Sequence, residues 1–555
     1  AKKILILFVS LFRLWVIINQ KYLLMKAIDS EGLVRIYEKG DPPLFLMNGE
    51  SFIFTKVPEG SRVLYPRPPL PGWRAEQLRA MAEKAIDNPI GMEPLRALLK
   101  PGMKVTIAVD DISLSEPVQQ PPDCRQVVIE LLLERLAEAG VDDVEIVIAV
   151  CLHRHMHDWE VKEMLGKKIF NSYWHKKKLY NYDAEDKDAN IILGYTEHGE
   201  IVEMHKRSAT SDLLIYVNLT LVALNGGHKS VGVGLVTYRC VRSNHNFEHQ
   251  FNSRSFNDPP RSRMHETINR IGRYIEKQVK VFHIEMTVNT DTFPHYLGYM
   301  QKQELEWSFL EKTMARIAKH SLDLTPLALN RKIFFANKAP YAVTSIQAGE
   351  VEEVHKLTLE NVYKQQLIEV NGQSDILIIP IPYVMPYSVH SIMNPILVYA
   401  MGLGYMFNFY MNKPLVKQGG TVIFLHPLEN KFHSVHHPSY IELFEKLKET
   451  RDPKIIDQKY ADYLATNEKY IRLYRFHNAY HGFHPVSMWN WGSHGMAHVG
   501  QVIIVNPRSK EAAERLGWET ASNLDEAIEM ARTKQGRSAS ISVIHSPPIA
   551  MWNVK

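Results

Sequence analysis

The sequence predicts a mixed α/β fold with two domains, an N-terminal doubly wound Rossmann-like sheet and a second α/β domain. Short apolar runs typical of buried strands alternate with helical spacing over residues 46–320. A second pattern of the same kind follows over residues 321–555, beyond a boundary near Pro326. A chain of 555 residues is also too long for one ordinary domain.

Composition excludes several classes of protein. The chain is 45% hydrophobic and 23% charged, which is ordinary for a globular protein. A net charge of +4 on this length argues against nucleic-acid binding. Cys124, Cys151 and Cys240 are far apart and form no Cys-x-x-Cys pair, which disfavours a zinc ribbon, an iron–sulfur cluster or disulfides. We therefore expect a cytoplasmic protein for which a membrane is an unlikely partner; oligomeric state is not indicated.

Residues 1–45 are interpreted as an N-terminal extension that need not belong to the fold. Lys2-Lys3 precede an apolar run over residues 4–18 that Arg13 interrupts, and no small-residue cleavage site follows. Ala1 is not a start methionine, whereas Met25 could be one. Three interpretations stay open: an upstream extension, a packed helix, or a membrane anchor.

The first domain is expected to gather polar side chains at one edge of its sheet. Residues 104–109 read as a buried strand that ends at Asp110-Asp111, and residues 144–152 as a strand that puts His153 just past its end. Residues 125–139 between them have helical spacing. Because ligands of open α/β sheets bind outside the carboxyl ends of the strands, these side chains should open onto one crevice.

A glycine-rich loop should open onto the same crevice. After the apolar strand 212–217 the chain reads Leu-Asn-Gly-Gly-His-Lys-Ser-Val-Gly-Val-Gly over residues 224–234. Glycines permit close approach to a ligand, and a lysine among them is either a phosphate partner or a nucleophile. A P-loop is rejected because His228 and Ala223 stand where its glycines are required. A plain glycine-rich turn remains the alternative.

Two histidines stand at informative distances from this loop. His153 lies 76 residues before Lys229, and His245 lies 16 after it. His153 stands in a Leu-His-Arg motif, and an acidic helical stretch ending in Leu165-Gly166 follows. In these motifs and spacings the chain resembles the nickel-pincer lactate racemase family, most clearly over residues 104–278.

The resemblance implies a role for each of these residues. Lys229 would carry the nickel-pincer nucleotide (nickel pyridinium-3,5-bisthiocarboxylic acid mononucleotide) covalently, with Gly226, Gly227 and Asp111 on the cofactor's side of the site. His245 would ligate the nickel, for which imidazole is an acceptable ligand. His153 would be the general base, and histidine suits proton transfer at neutral pH. The implied activity is that of an isomerase, a racemase or epimerase of hydroxy acids, with cofactor-synthesis enzymes as partners.

The chain departs from the family's pattern where the substrate would bind. Leu219 occupies the position of a second catalytic histidine, and residues 110–117 contain no arginine to hold a carboxylate. Residues 393–396 read Met-Asn-Pro-Ile where a glutamine and a lysine are expected. His155, His157 and His228 are nearby in sequence, but none has the family spacing. We therefore expect a substrate other than lactate, or a reaction confined to one face.

Two other functions remain open from the sequence. His153, His155 and His157 would face one side of a strand, which permits a zinc-dependent hydrolase. A non-catalytic homologue that binds the cofactor is favoured by the missing histidine and arginine.

Overall fold

Two mostly parallel sheets organise the protein in this computed structural model, which describes residue 29 and residues 31–555. The predicted α/β class is confirmed. The interpretations of residues 1–24 lie outside the described residues.

The first sheet has six strands, and five of them run parallel. From edge to edge they are Val343–Gly349, Val281–Val288, Leu213–Thr220, Lys104–Val109, Asp143–Ile148 and Leu179–Asn181. The first of these is antiparallel to its neighbour, and the other pairs are parallel. The chain fills the sheet outward from Lys104–Val109, first to one side and then to the other. The strand order therefore reverses between Lys104–Val109 and Leu213–Thr220, where α/β sheets bind ligands.

The second sheet has seven strands, and its order is Val34–Ile36, Arg62–Leu64, Ile541–Ile544, Ser374–Pro380, Val416–Leu425, Gln501–Val505 and Glu519–Ala521. Only Val34–Ile36 pairs antiparallel. Strand Ser374–Pro380 and residues 420–425 of the next strand are largely apolar and buried, as expected for parallel strands covered by helices.

The two sheets exchange segments of chain. Strands Val34–Ile36 and Arg62–Leu64 join the sheet built mainly from the C-terminal half. Strand Val343–Gly349 joins the sheet built from the N-terminal half. The described part of the predicted extension thus contributes a strand, and the sheets do not divide at residue 320. The domain boundaries 46–320 and 321–555 stay a prediction.

Smaller strands and many helices complete the fold. A three-stranded sheet contains Leu367–Val370, Met551–Val554 and Tyr410–Met411, and two antiparallel pairs are Leu44–Asn48 with Ser51–Thr55 and Asn190–Tyr195 with Ile201–His205. The α-helices are Ala75–Asp87, Leu95–Leu98, Cys124–Glu138, Asp158–Tyr173, Lys206–Ala209, Lys229–Gly232, Tyr238–Val241, Phe247–Asn252, Arg263–Glu276, Phe309–Leu324, Leu327–Ala336, Val351–Gln366, Pro395–Tyr399, Pro438–Lys446, Pro453–Ala465, Glu468–His477, His484–Trp491, Ser493–His498, Lys510–Leu516 and Leu524–Gln535.

The remaining helical segments are short or irregular. They are the 3₁₀ turns Pro259–Arg261, His295–Gln301 and Glu304–Glu306 and the π-helical segment Ala400–Met406. The α-helix Pro395–Tyr399 continues directly into the π-helical segment, and it begins at Pro395, whose fixed φ suits a first helical position. None of the described helices is both long and apolar enough to cross a bilayer.

Candidate functional site

The carboxyl ends of both sheets meet around one cavity of about 480 Å³. Segments that follow the strands Lys104–Val109, Asp143–Ile148 and Leu213–Thr220 line it from one side. Segments that follow Ser374–Pro380 and Ile541–Ile544 line it from the other. Five of the six predicted site residues line this cavity: Asp111, His153, Gly226, Lys229 and His245. A cavity of this size is typical of a small-molecule site.

His153 is held by a buried carboxylate. Its Nδ1 lies 2.8 Å from Oδ2 of Asp111, and the backbone N–H of Ser113 donates to the other oxygen at 3.0 Å. Burial alone would raise the pKa of Asp111, but the charge and hydrogen bond of His153 and the bonds from Ser113 hold that pKa below its usual value. With Nδ1–H donated to the carboxylate, Nε2 of His153 is the free proton acceptor. Asp111 therefore orients His153.

Lys229 begins the short helix Lys229–Gly232 and opens onto the cavity. Burial lowers the pKa of its amine to about 8, although the carboxylates of Asp110 and Asp111 favour the charged form. Within the described part of the chain, its Nζ has no hydrogen bond or ion pair. A lysine whose pKa lies near neutrality has a substantial fraction of nucleophilic, uncharged amine.

His245 is a neutral imidazole at the same cavity. Burial, followed by the positive charges of Lys229 and His153, lowers its pKa to about 3. Its Nδ1 is hydrogen-bonded to the side-chain oxygen of the buried Asn244. That bond leaves Nε2 unprotonated and available to a metal, the arrangement typical of metal-ligating histidines.

The glycine loop is fixed from behind by a buried carboxylate. Glu285, on strand Val281–Val288, accepts from the N–H of Gly227 and pairs with His283 at 2.8 Å and His355 at 3.1 Å. Burial alone would raise the pKa of Glu285, but those two histidines hold it below its usual value. A Cβ added to Gly226 would lie 2.7 Å from Oε1 of Glu285. Close packing against Glu285 thus requires glycine here.

Gly227 is the sixth predicted site residue, and it does not line the main cavity. It borders a neighbouring cavity together with His228, Arg273 and His355. A Cβ at Gly227 would lie 2.7 Å from the ring of His355. Its glycine is thus explained by the His355 contact and by a positive φ of 59° rather than by the main cavity.

The prediction that His153, His155 and His157 share one face of a strand is wrong. The strand ends at Ile148, and the three histidines lie in the turn and loop that follow. The ring of His155 packs on Tyr474, and Nε2 of His157 lies 3.2 Å from that of His436. Among the described residues, no group of three or more His, Cys, Asp or Glu side chains is arranged to hold a metal ion.

Leu219 does not face the cavity. Its side chain is fully buried in the six-stranded sheet, and its N–H donates to Asp110 at 2.7 Å. Asn218, its neighbour on the strand, lines the cavity instead. His155, His157 and His228 are also not among the lining residues.

A histidine that the sequence did not single out lies beside His153. His484, the first residue of helix His484–Trp491, lines the cavity, and its ring centroid lies 5.6 Å from that of His153. The hydroxyl of Tyr440 bonds its Nδ1 at 2.6 Å, and burial lowers the pKa of His484 well below the usual value. This bond occupies Nδ1 and leaves Nε2 as the ring nitrogen without a hydrogen-bond partner among the described residues. The only sequence signal was the abundance of histidine and aromatic residues over 429–500.

The rest of the lining is largely apolar. It includes side chains from the helical segment Phe309–Ala336 and from the C-terminal half, among them Leu322, Phe334, Met385, Tyr405 and Phe483. Of the described residues that line the cavity, Lys229 is the single lysine, and none is an arginine.

Sequence comparison with known proteins finds lactate racemases. Residues 50–256 match the sequence model of the lactate racemase N-terminal domain. A lactate racemase of Lactiplantibacillus plantarum is 25% identical over 219 residues, which cover 38% of this chain and 47% of that protein. A lactate racemase of Thermoanaerobacterium thermosaccharolyticum is 22% identical over 170 residues, which cover 30% of this chain and 37% of that protein. The matched stretches thus span less than half of either relative.

The structural likeness is wider than the sequence likeness. The lactate racemase apoprotein from Thermoanaerobacterium thermosaccharolyticum superposes with a TM-score of 0.61 at 17% identity, covering 92% of this chain and 99% of that one. At that identity the superposition shows a shared fold. The sequence match confirms the resemblance predicted from the glycine loop and the two histidines: the chain is lactate racemase-like over residues 50–256, and it shares the fold of the apoprotein beyond them.

Proposed function

We propose that the protein is an isomerase that racemises or epimerises a hydroxyl-bearing carbon of a hydroxy acid larger than lactate. The observation that carries the proposal is the meeting of three chemistries in one cavity: an amine with a lowered pKa, a neutral imidazole and a histidine–aspartate pair. The two curated relatives are lactate racemases, which supports the reaction class.

The residues present fit a nickel-pincer nucleotide. Lys229 offers a nucleophilic amine for its covalent attachment, and His245 offers Nε2 as a metal ligand. No group of three or more His, Cys, Asp or Glu side chains in the described chain is arranged to hold a metal ion, so a metal here needs ligands from a cofactor. When bound, this group would supply hydride-transfer chemistry at the substrate carbon, and the protein would contribute orientation and proton transfer.

Proton transfer falls to two histidines. His153 has a free Nε2 lone pair, so it takes the proton of the substrate hydroxyl, and Asp111 stabilises the imidazolium that results. His484 is bonded through Nδ1 to Tyr440, so its Nε2 is the second imidazole nitrogen that can exchange a proton with the substrate oxygen. The two rings are in edge-to-face contact, and both lie at the cavity. Together they supply two imidazole groups for proton transfer, although Leu219 replaces the family's second histidine.

The walls favour a substrate with a sizeable apolar part. The cavity of about 480 Å³ has to hold the cofactor as well as the substrate, so the character of its walls, rather than its volume, selects the substrate. The lining beyond Lys229, His153 and His245 is mainly aliphatic and aromatic. Because no arginine lines the cavity among the described residues, the substrate carboxylate has to be held by a neutral donor such as the side-chain amide of Asn218.

Intact-mass measurement tests the proposal on the full chain produced together with cofactor-synthesis enzymes. We expect the parent to carry a covalent adduct and Lys229→Ala to carry none, since no other lysine lines the cavity in the described chain. Lys356→Ala is the matched control, because Lys356 lines the neighbouring cavity and should leave the adduct in place.

The outcomes distinguish covalent attachment at Lys229 from its absence, and an enzyme from a non-catalytic homologue. An equal adduct on the parent and on Lys229→Ala contradicts the attachment. An adduct on the parent without turnover of any hydroxy acid indicates the non-catalytic homologue that the sequence left open.

A further inference from the structure

Two consecutive helices at the mouth of the cavity expose an apolar face. These are Phe309–Leu324 and Leu327–Ala336, which we call the helical pair. Phe309 is 86% exposed and Leu324 73%, the two highest values among the large apolar side chains of the described residues. Leu310, Ile317, Leu329 and Ile333 are also exposed. Contiguous exposed apolar side chains of this kind mark interaction sites.

The first helix of the pair has more apolar surface than it buries against the rest of the protein. On the first helix Ala315 is buried in a small core with Phe45, Phe52 and Trp307. Ala318 and Leu322 turn toward the cavity. Helical spacing puts Leu310, Ile317 and Leu324 on a different face, between the cavity side and the charged side. Only part of the apolar surface is therefore used by the fold.

The charge around this face is positive. Residues 309–338 contain six lysines and arginines and two acidic residues, an excess equal to the net charge of the whole chain. Arg331, Lys319 and Lys338 have carboxylate partners. The other three cations are exposed and form no ion pair within the described residues: Lys312, Arg316 and Lys332. Basic side chains beside an apolar helix face are the signature of helices that lie on lipid surfaces.

We infer that the helical pair docks the protein on an anionic lipid surface. Its apolar side chains would enter the acyl boundary while Lys312, Arg316 and Lys332 meet anionic headgroups. A second copy of the chain fits less well, because a two-fold interface would set this patch, with its uncompensated cations, against itself. The inference is independent of the reaction proposed above, and it departs from the sequence-based expectation that a membrane is an unlikely partner.

The same helices connect the docking face to the cavity. Ala318, Leu322, Ile333 and Phe334 line the cavity, and Ile333 is also among the exposed side chains. A molecule with an apolar chain could therefore pass from the lipid surface into the cavity without full exposure to water. The docking face therefore lies where an apolar substrate would enter the cavity, which an incidental apolar patch would have no reason to do.

Vesicle co-sedimentation of the full chain tests the inference. We expect the parent to bind vesicles of phosphatidylcholine with phosphatidylglycerol more tightly than vesicles of phosphatidylcholine alone. Leu324→Glu should weaken binding to the mixed vesicles about tenfold. The double variant Lys312→Glu/Arg316→Glu should weaken it by a similar factor while losing the preference for the anionic lipid.

Matched controls lie elsewhere on the surface. Phe476→Glu alters an apolar side chain that is 65% exposed on helix Glu468–His477, and Lys176→Glu reverses an exposed charge. Both should bind as the parent does, and all variants should keep the parent's thermal midpoint. Absent binding by the parent overturns the inference. Binding of Leu324→Glu as tight as that of the parent also overturns it, because an anchor in residues 1–28 would give that result. A parent dimer that Leu324→Glu dissociates overturns it as well, because the helical pair would then be a protein interface.

Discussion

At the scale of single residues, Lys229 and His245 are close in sequence but are suited to different roles in the site. Lys229 owes its lowered pKa chiefly to burial, which disfavours the charged amine. His245 is neutral for the same reason, and the nearby positive charge of Lys229 adds to the effect. The amine is suited to a covalent bond and the imidazole to a metal, so their contributions should be experimentally separable.

His245→Ala tests that separation. We expect nickel content after gel filtration to fall at least tenfold, the usual scale for disturbing a metal's ligand set, while the covalent adduct on Lys229 persists. His249→Ala is the control, because His249 lies on the next helix and is not among the cavity-lining residues. Equal nickel content in the parent and in His245→Ala would remove His245 from the coordination sphere.

Residues on local motifs could be predicted, and residues brought in from afar could not. Lys229, His153 and His245 stand in short motifs with fixed spacings, so the sequence alone indicated them. Glu285 and His484 reach the site from strand Val281–Val288 and helix His484–Trp491, and neither stands in a motif. Their roles depend on hydrogen bonds across 58 residues to Gly227 and across 44 to Tyr440, which no local pattern encodes.

At the scale of elements, the loop that carries Lys229 is tied to two helices through His228. Its Nδ1 lies 2.7 Å from Glu276 at the end of helix Arg263–Glu276, and its Nε2 lies 2.8 Å from Glu352 on helix Val351–Gln366. Burial would lower the pKa of His228, but the bonds and charges of Glu276 and Glu352 raise it above its usual value. The protonated ring donates to both helices.

This link predicts a pH-dependent contribution to stability. Because the folded-state pKa of His228 is raised, its contribution is complete below the unfolded value of about 6.5 and is lost as pH rises through the folded value. His228→Gln should therefore lower the free energy of unfolding by about 1–2 kcal/mol near pH 6 and by little near pH 9. The value near pH 6 is kept small because Glu352 is half exposed and water screens its charge.

Urea unfolding at the two pH values measures this difference. His198→Gln, an exposed histidine on the turn of the pair Asn190–Tyr195 and Ile201–His205, is the control and should have no effect at either pH. A loss of stability for His228→Gln that is equal at both pH values would mean that packing, rather than the charged hydrogen bonds, holds the loop.

At the scale of the whole molecule, the cavity exists because two sheets present their carboxyl ends to each other. The α/β class and the crevice beside Asp111, His153 and Lys229 followed from alternating strands and helices. The exchange of Val34–Ile36 and Val343–Gly349 between sheets did not, because a strand's local pattern shows that it is buried and not which partner it pairs with. The apolar far wall, built by the C-terminal half, was unpredictable for the same reason.

That far wall makes a prediction about substrate choice. With the nickel-loaded protein, 2-hydroxyoctanoate should have a kcat/KM at least about a hundredfold above that of lactate, because each buried methylene contributes roughly 0.8 kcal/mol and the added chain has five carbons. Loss of optical rotation from each enantiomer measures the rate. Leu322→Trp, which narrows the apolar end, should slow the longer acid and leave lactate unchanged. Equal or faster turnover of lactate would show that the polar end alone selects the substrate.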